Sequence, residues 1–187
     1  MTLKIVDNTF ISACLGEIDC INLLEISRSS YILSTTSEVH SETIAGFEGN
    51  LVDYAYENIS IHPIDNDNYL ELKEWLEDRY PQIDSGEIST FLLALLKFAL
   101  EDKAYYYITD DNKMKKTILK LNNDPIFMDK LGINFDMNQF NVTGTIGFIK
   151  RLIDKSLISK DYIEPIIKNL EENGFYLTDK IKEYLRG

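Results

Sequence analysis

The sequence is poor in the residues from which histidine and cysteine sites are built. It has only two histidines, His40 and His62, among 187 residues. A zinc site made of imidazoles and a Ser-His-Asp triad are therefore both disfavoured. The two cysteines, Cys14 and Cys20, have a spacing that matches neither a CxxC metal pair nor a disulfide framework. We expect both to be buried small hydrophobes in a reducing compartment.

Long apolar runs and linkers are also missing. No run reaches the roughly 18 apolar residues of a membrane span, and Lys4 and Asp7 interrupt the segment that a signal peptide would occupy. The four prolines are scattered, and no repeat or Pro/Gly/Ser-rich tract divides the chain. These absences predict a single soluble domain over residues 1–187, located in the cytoplasm and without a membrane partner.

Positive charge is scarce. Nineteen lysines and arginines face 31 aspartates and glutamates, which gives a formal net charge of -12. Such an excess repels a nucleic acid unless cations or local basic patches intervene. It is also expected where carboxylates are concentrated for metal binding, or where the partner is basic. Charge alone leaves these alternatives open.

Strand patterns alternate with helix patterns along the chain. Apolar, β-branched or tyrosine-rich segments predict strands at 3–6, 31–33, 59–64 and 104–108, with a weaker one at 133–135. Helical spacing predicts helices near 10–15 and 19–28, and another that begins after an N-cap among residues 34–37 and runs to about 47. Further helices are predicted at 69–80 and 87–100, after 111, from 143, and from 160 to Gly174. This alternation favours an α/β fold, a three-layer αβα sandwich around a central, mainly parallel sheet.

Acidic residues directly follow two of the predicted strands. Asp7 ends the first strand, and Asp110 and Asp111 follow the tyrosine-rich one after Thr109. Ligands of open parallel sheets bind beyond the carboxyl ends of the strands, which makes these acids candidates for a site. Capping of the next helix is the alternative for each, although a single cap needs only one of two adjacent acids.

Two further acids lie on predicted helices. Glu87 follows Asp84 by three residues, so a capping box is the alternative to a functional role. Glu42 follows Val39 by three and lies near the apolar face of its helix, where an unpaired carboxylate would be costly. We expect Glu42 to have a metal or a basic partner. Glu38, one turn earlier, is a weaker candidate for the same role.

These acids come from four segments and would converge if the strands order suitably. Clustered carboxylates raise one another's pKa values and become tolerable chiefly by binding a divalent cation. Oxygen-only ligation suits Mg²⁺ or Mn²⁺. The sequence therefore predicts a metal site with the ligands Asp7, Glu42, Glu87, Asp110 and Asp111, in which Asp110 and Asp111 are rivals for one position.

The same acids resemble the motifs of the PIN domain family. The matching segments are Val6-Asp7-Asn8-Thr9, Val39-His40-Ser41-Glu42, Asp84-Ser85-Gly86-Glu87 and Ile108-Thr109-Asp110-Asp111. Each is weak alone, but the four occur in the family's order and at similar spacing. Residues from about 143, with Thr143-Gly144-Thr145-Ile146-Gly147 and Gly174-Phe175, are similar to the PIN-like branch that carries a helical C-terminal extension.

This resemblance implies an Mg²⁺- or Mn²⁺-dependent endoribonuclease with Asp7, Glu42, Glu87 and Asp110 as its catalytic residues. The metal would activate water for attack on a phosphodiester bond of RNA. Many family members are toxins inhibited by a basic antitoxin, and some have lost activity. The expected partners are therefore an RNA substrate, a basic antitoxin protein and further copies of the chain.

Basic residues near these acids are candidates for binding substrate phosphates. Lys113 and Lys116 recur at helical spacing after the aspartates, with Lys115 and Lys120 alongside, and Lys150, Arg151 and Lys155 form a second group. A solvated helix face is the ordinary alternative. Thr143 and Thr145 flank a glycine at the start of a helix, whose free amides bind phosphate in many proteins, although simple capping is the alternative.

Two other functions compete with the nuclease. An inactive PIN-like module that only binds a basic partner would suit the net charge of -12. A phosphatase of the haloacid dehalogenase type would use Asp7 as its nucleophile. That family has a second aspartate two residues later, where this sequence has Thr9. A covalent aspartyl-phosphate on Asp7 would favour the phosphatase.

Overall fold

The computed structural model describes residues 3–17, 21–101, 106–132, 141–172 and 174–187. Cys20, the start of the tyrosine-rich segment and the strand predicted at 133–135 lie outside these residues. Cys14 is buried, as expected. None of the helices in the described ranges combines the length and apolarity that crossing a membrane requires.

Five strands form one sheet in the order β3-β2-β1-β4-β5. Their bounds are β1 Leu3–Val6, β2 Ile32–Thr36, β3 Ile59–His62, β4 Tyr106–Ile108 and β5 Asn141–Thr143. All four pairings between them are parallel. The predicted α/β class with a central parallel sheet is confirmed.

Helices connect and cover the strands. The first six are α1 Asn8–Ser12, α2 Ile21–Ser30, α3 Ser37–Gly46, α4 Gly49–Tyr56, α5 Asp67–Arg79 and α6 Ser85–Glu101. The others are α7 Asn112–Leu121, α8 Pro125–Leu131, α9 Thr145–Asp154, α10 Ile163–Glu172 and α11 Asp179–Arg186. A π-helical turn, Ala13–Glu17, follows α1, and a 3-10 turn, Lys160–Tyr162, precedes α10.

Two hydrophobic cores lie on the two faces of the sheet. Side chains alternate across a strand, and Ile5 and Tyr107 accordingly belong to one core while Val6 and Ile108 belong to the other. The core with Ile5 is completed by α5 to α8, and the core with Val6 by α1 to α4 and α9 to α11. This arrangement is the expected αβα sandwich.

Some elements differ from the sequence prediction. The sequence pattern does not predict β5 or the helices α4, α8 and α11. β2 continues through Thr36, which is also the N-cap of α3, whereas residues 34 and 35, which are also candidate caps, lie within the strand. Residues 34–36 are buried, but their hydroxyls have partners. Thr35 Oγ1 donates to Val6 O at 2.7 Å, and Thr36 Oγ1 lies 2.7 Å from Ser89 Oγ. The β-branched residues therefore extend the strand without leaving these hydroxyls unsatisfied.

The strand order places the crevice of the fold between β1 and β4. From β1 the chain first builds outward through β2 and β3, and then returns to β1's other side with β4 and β5. A reversal of this kind leaves the connections after the two central strands on opposite faces of the sheet and opens a space between them. The residues that follow β1 and β4, Asp7 and 109–111, line this edge.

Candidate active site at the carboxyl edge of the sheet

Backbone hydrogen bonds hold the ends of the central strands in register. Val6 pairs with Ile108, and Ile108 pairs with Thr143. One residue further, the Asp7 N–H donates to Ile108 O at 3.1 Å and the Thr109 N–H donates to Thr143 O at 2.9 Å. The positions of the acids after β1 and β4 are therefore set by the sheet.

Asp7 is fully buried and caps α1. Its Oδ1 accepts the Thr9 N–H at 3.0 Å, the Phe10 N–H at 3.5 Å and the Thr9 hydroxyl. The predicted capping role is thus present. Oδ2, in contrast, is buried and accepts no hydrogen bond from the described residues. A buried carboxylate oxygen without a partner is costly and marks a place where a cation or a proton is favoured.

The pKa of Asp7 reflects this environment. It is raised from 3.8 to about 6, mainly because burial disfavours the charged form. The hydroxyls of Thr109 and Thr9 oppose the rise in pKa, and the charge of Asp110 adds to it.

Asp110 and Asp111 cap two different helices. Asp111 accepts the Met114 N–H and begins α7. Asp110 reaches across to α9, where its two oxygens accept the Thr145 N–H at 3.0 and 3.1 Å and its Oδ2 also accepts the Thr145 hydroxyl. The presence of neighbouring acids therefore does not require a metal to explain it, because each acid serves its own helix N-terminus.

Thr9 links the ends of β1 and β4. Its hydroxyl donates to Asp7 Oδ1 and accepts the Asp110 N–H at 3.3 Å. The two aspartates are consequently held at one point, although more than a hundred residues separate them in the chain. The sequence pattern does not single out Thr9 as a site residue on its own account.

Glu87 joins the same group of charges from α6. Its Oε2 accepts the Asp84 N–H at 3.2 Å, which confirms the second half of the predicted capping box. The pKa of Glu87 is raised from 4.5 to about 7, mainly by burial and then by the charge of Asp111. Asp7 and Asp84 also raise this pKa, whereas the Asp84 N–H lowers it. The pKa of Glu87 on α6 is therefore raised by acids that follow both central strands, β1 and β4.

Glu42 lies against the N-terminus of α6. A Cβ at Gly86 would come 2.5 Å from Glu42 Oε1 and 2.7 Å from Oε2, so any larger residue there would displace the carboxylate. Burial raises the pKa of Glu42, the charges of Asp84 and Glu38 add to the rise, and the Gly86 N–H opposes it. No lysine or arginine of the described chain lies within ion-pair distance of Glu42. The positive end of a helix takes the place of the expected basic partner.

Glu38 has a different partner. Its Oε1 lies 3.3 Å from Lys73 Nζ, while its Oε2 is buried without a hydrogen bond from the described residues. Because Lys73 also pairs with Glu77 on α5, Glu38 belongs to a salt-bridge network that joins α3 to α5.

The structure thus brings the predicted acids to one edge of the sheet. Asp7, Glu87, Asp110 and Asp111 are near enough for their charges to raise the pKa values of Asp7 and Glu87, and Glu42 adjoins them through Gly86. In the described ranges, however, no three His, Cys, Asp or Glu side chains are grouped closely enough to hold a metal ion as they stand. Metal ligation by these residues stays a prediction.

Only one of the two basic groups adjoins these acids. Lys115 Nζ would lie 3.2 Å from a Cβ at Gly144, and Asp110 Oδ1 would overlap the same atom. Lys113 Nζ donates to Gln82 O at 3.1 Å, and Lys116 is exposed. The contact of Lys113 and Lys116 with substrate phosphates stays a prediction.

The second basic group is found at the amino end of the sheet. Lys155 Nζ lies 5.2 Å from the ring centre of Tyr31, which precedes β2, and Lys150 pairs with Asp154. Burial lowers the pKa of Lys4, and the charges of Arg151 and Lys155 lower it further. These residues are therefore remote from the acids that follow β1 and β4.

The start of α9 is already occupied. The N–H and hydroxyl of Thr145 donate to Asp110, and the Thr143 hydroxyl donates to Gly144 O at 3.4 Å. A phosphate that used the Thr145 amide would have to displace Asp110. Contact of either threonine with substrate stays a prediction.

Some residues that the sequence pattern does not identify form hydrogen bonds with the backbone of the acids. Tyr107 is fully buried and its hydroxyl donates to Glu87 O at 3.2 Å, and the Thr109 hydroxyl accepts the Asp111 N–H at 3.1 Å. The only signal in the sequence is positional. The supporting residues on loops and helix starts each lie within two residues of an acid or of a strand end: Thr9, Gly86, Thr109 and Gly144.

Comparison with models of protein families, with curated proteins and with solved structures finds no match to this chain.

Proposed function

We propose that this protein is an Mg²⁺- or Mn²⁺-dependent endoribonuclease that hydrolyses phosphodiester bonds with the acids at the carboxyl edge of its sheet. The observation that carries the proposal is Asp7. Its carboxylate is fully buried at the crevice between β1 and β4, one oxygen has no hydrogen-bond partner among the described residues, and the charge of Asp110 lies beside it. The PIN resemblance of the four acidic motifs agrees with the same site.

The chemistry of these residues favours a divalent cation, although no three of the described acids are grouped closely enough to hold one as they stand. Asp7 Oδ2 lacks a donor in the described chain, and the raised pKa values of Asp7 and Glu87 reflect both burial and neighbouring negative charge. A bound Mg²⁺ or Mn²⁺ would lower the pKa of a coordinated water and offset charge on the scissile phosphate. Asp7, Glu87, Asp110 and Asp111 would hold the ion, with Glu42 at the margin.

The protein's own groups have distinct roles in this proposal. Thr9 fixes Asp7 Oδ1 and thereby leaves Oδ2 for the ion. Glu87, whose pKa is raised to about 7 by burial and by neighbouring negative charge, would give up its proton when it binds the ion. Asp110 restrains the start of α9 beside the site.

The proposal includes partners and location. The substrate is RNA, and a basic antitoxin protein is a proposed partner because the net charge is -12. A second copy of the chain is a further proposed partner. We place this activity in the cytoplasm, where RNA substrates and a reducing environment coexist. Each of these points depends on the nuclease activity being present.

The primary experiment compares Asp7→Asn with wild type in Mn²⁺-dependent cleavage of RNA. Asn retains the capping oxygen but not the charge, so the variant is expected to fold and to lose cleavage by at least about a hundredfold. Asp53→Asn on α4 is the matched control, because it removes the same charge from an exposed position. Equal cleavage by Asp7→Asn and wild type would show that the activity comes from a contaminant.

A partner-binding module without catalysis is the second candidate. The specific observation in its favour is that Asp110 and Asp111 are both engaged as helix caps, and that the described acids form no ready group of three ligands. Calorimetric titration with Mn²⁺ separates the two functions. Absence of binding at millimolar Mn²⁺ would support the module and reject the nuclease.

A further inference from the structure

We propose that Lys115 is the residue that binds the substrate's phosphate, from the side of the site formed by α7 and α9. This inference rests on the proposed nuclease function and adds a substrate-binding residue to it. The space concerned lies beside Gly144, the N-cap of α9, next to the Asp110 carboxylate and the Lys115 ammonium group.

Lys115 is held near this space by the start of α7. The helix begins at Asn112 after its cap Asp111, and the Lys115 N–H closes the first turn by donating to Asp111 O at 3.1 Å. Because Asp111 directly follows Asp110, the first turn of α7 starts at the acids that follow β4. The side chain of Lys115 therefore begins close to the site.

Lys115 and Asp110 border the same small space. A Cβ at Gly144 would overlap Asp110 Oδ1 and come 3.2 Å from Lys115 Nζ. Glycine at 144 is therefore what leaves room between the carboxylate and the ammonium group. A Cβ here would close the space.

The charge of Lys115 is not used in an ion pair with the described residues. No carboxylate there lies within 4.0 Å of its Nζ, although Asp110 is close by. Neighbouring lysines differ, because Lys113 donates to Gln82 O and Lys116 is exposed. Lys115 is thus a lysine of α7 whose ammonium group lies beside Asp110 and has no ion pair in the described chain.

A cation in this position suits a phosphodiester. The chain carries a net charge of -12, and an RNA backbone approaching the acids meets repulsion unless a positive group is present. The buried Oδ2 of Asp7, which has no partner in the described chain, marks where a metal ion would be held, and Lys115 supplies a second positive charge at the rim. The non-bridging oxygens of a phosphate would accept hydrogen bonds from its ammonium group.

Binding is tested with a short fluorescent single-stranded RNA in the Asp7→Asn background, which does not cleave, so that the assay reports the Lys115 contact without an ion at Asp7. Adding Lys115→Ala is expected to weaken binding about tenfold and to reduce the slope of log Kd against log salt by about 0.7, the value for one lost phosphate contact. Lys115→Arg keeps the charge and should retain most of the affinity.

Lys120→Ala is the matched control, because it removes the same charge from an exposed position further along α7. In the wild-type background, Lys115→Ala should raise KM more than it lowers kcat. Equal effects of Lys115→Ala and Lys120→Ala on Kd and on the salt slope would overturn the inference. So would an unchanged slope together with a lower melting temperature, since Lys115 would then only balance the charge of Asp110.

The outcome for wild type distinguishes this inference from the proposed function. RNA binding that depends on Lys115 without any cleavage by wild type would reject the nuclease and support the phosphate contact. Cleavage by wild type that is indifferent to Lys115 would reject the contact and leave the nuclease. Absence of both binding and cleavage would reject both.

Discussion

Asp7 is a residue whose burial opposes its own ionisation. Its pKa is raised to about 6, whereas an unfolded aspartate has a pKa of about 3.8. Between these values the unfolded chain loses the proton first, so the free energy of unfolding falls as the pH rises from about 4 to about 6. Above this range the full cost of the buried charge remains, on the order of 2 kcal/mol.

Asp7→Asn removes this cost and keeps a capping side chain. Without metal, we expect the variant to be more stable than wild type at pH 7 to 8, and the difference to vanish near pH 4. Thermal unfolding at a series of pH values, with Asp53→Asn as the control for net charge, measures this. A variant that is less stable than wild type at pH 8 would show that the Asp7 charge is compensated in the folded protein.

For Lys4, burial shifts the pKa downward instead of upward. Lys4 is buried in β1, and its pKa is lowered from 10.5 to about 7 by burial and by the charges of Arg151 and Lys155. A lysine with a lowered folded pKa destabilises the protein while it is charged, so the cost is full below about pH 7 and disappears as the pH rises toward 10.5.

Lys4→Met should therefore raise the free energy of unfolding at pH 7, by on the order of 2 kcal/mol once solvent screening of the charge is allowed for, and the gain should shrink steadily up to pH 10. Chemical denaturation across this pH range measures it. Lys155→Met, which removes one of the neighbouring charges, is expected to give a smaller gain in the same direction. A gain that does not depend on pH would mean that packing and not charge is responsible.

At the scale of single elements, the N-terminus of α6 depends on close approach by Glu42. A Cβ at Gly86 would collide with the Glu42 carboxylate, whereas a Cβ at Gly46 on α3 would meet nothing within 4 Å. Gly86→Ala should lower the free energy of unfolding by about 1–3 kcal/mol, and Gly46→Ala should raise it or leave it unchanged. Denaturant unfolding compares the pair. Equal effects of the two substitutions would show that Glu42 moves away from α6 without cost.

Most strands and helices could be predicted because their apolar spacing is local, but the short edge strand β5, Asn141–Thr143, is not predicted. Leu3–Val6 and Ile59–His62 end near the expected residues, and α6 covers its predicted range. Short helices such as α4 and α8 are not predicted, because they have too few residues to show a clear helical period. Packing against the rest of the fold stabilises them instead. The extra residues of β2 are not predicted either, because hydroxyl partners at Val6 and Ser89 are not visible in the sequence.

The acids could be identified from the sequence, but their partners could not. Adjacent aspartates suggest more than capping, yet Asp110 caps α9, which lies far along the chain, while Asp111 caps α7. The sequence predicts a metal or a basic partner for Glu42. In the structure, the Gly86 N–H at the start of α6 is the group that stabilises its negative charge. Long-range capping depends on strand order, which local spacing does not determine.

At the scale of the whole molecule, both the excess of negative charge and the acids at the carboxyl edge of the sheet predict that a divalent cation stabilises the folded protein. A cation that binds only the folded protein raises its stability by RT ln(1 + [L]/Kd), about 2.7 kcal/mol at a hundred times Kd. Mn²⁺ should therefore raise the melting temperature of wild type, and the effect should saturate. General screening of 31 acids by salt would instead increase gradually and act on every variant.

Thermal unfolding with increasing Mn²⁺ at constant ionic strength separates these effects. We expect a saturating increase for wild type and for Asp53→Asn, and little or none for Asp7→Asn, because Asp7 holds the buried oxygen that has no partner in the described part of the crevice. The increase should also weaken below about pH 6, since protons then compete with the cation for Asp7 and Glu87. An equal, saturating increase in Asp7→Asn would locate the cation elsewhere on the acidic surface.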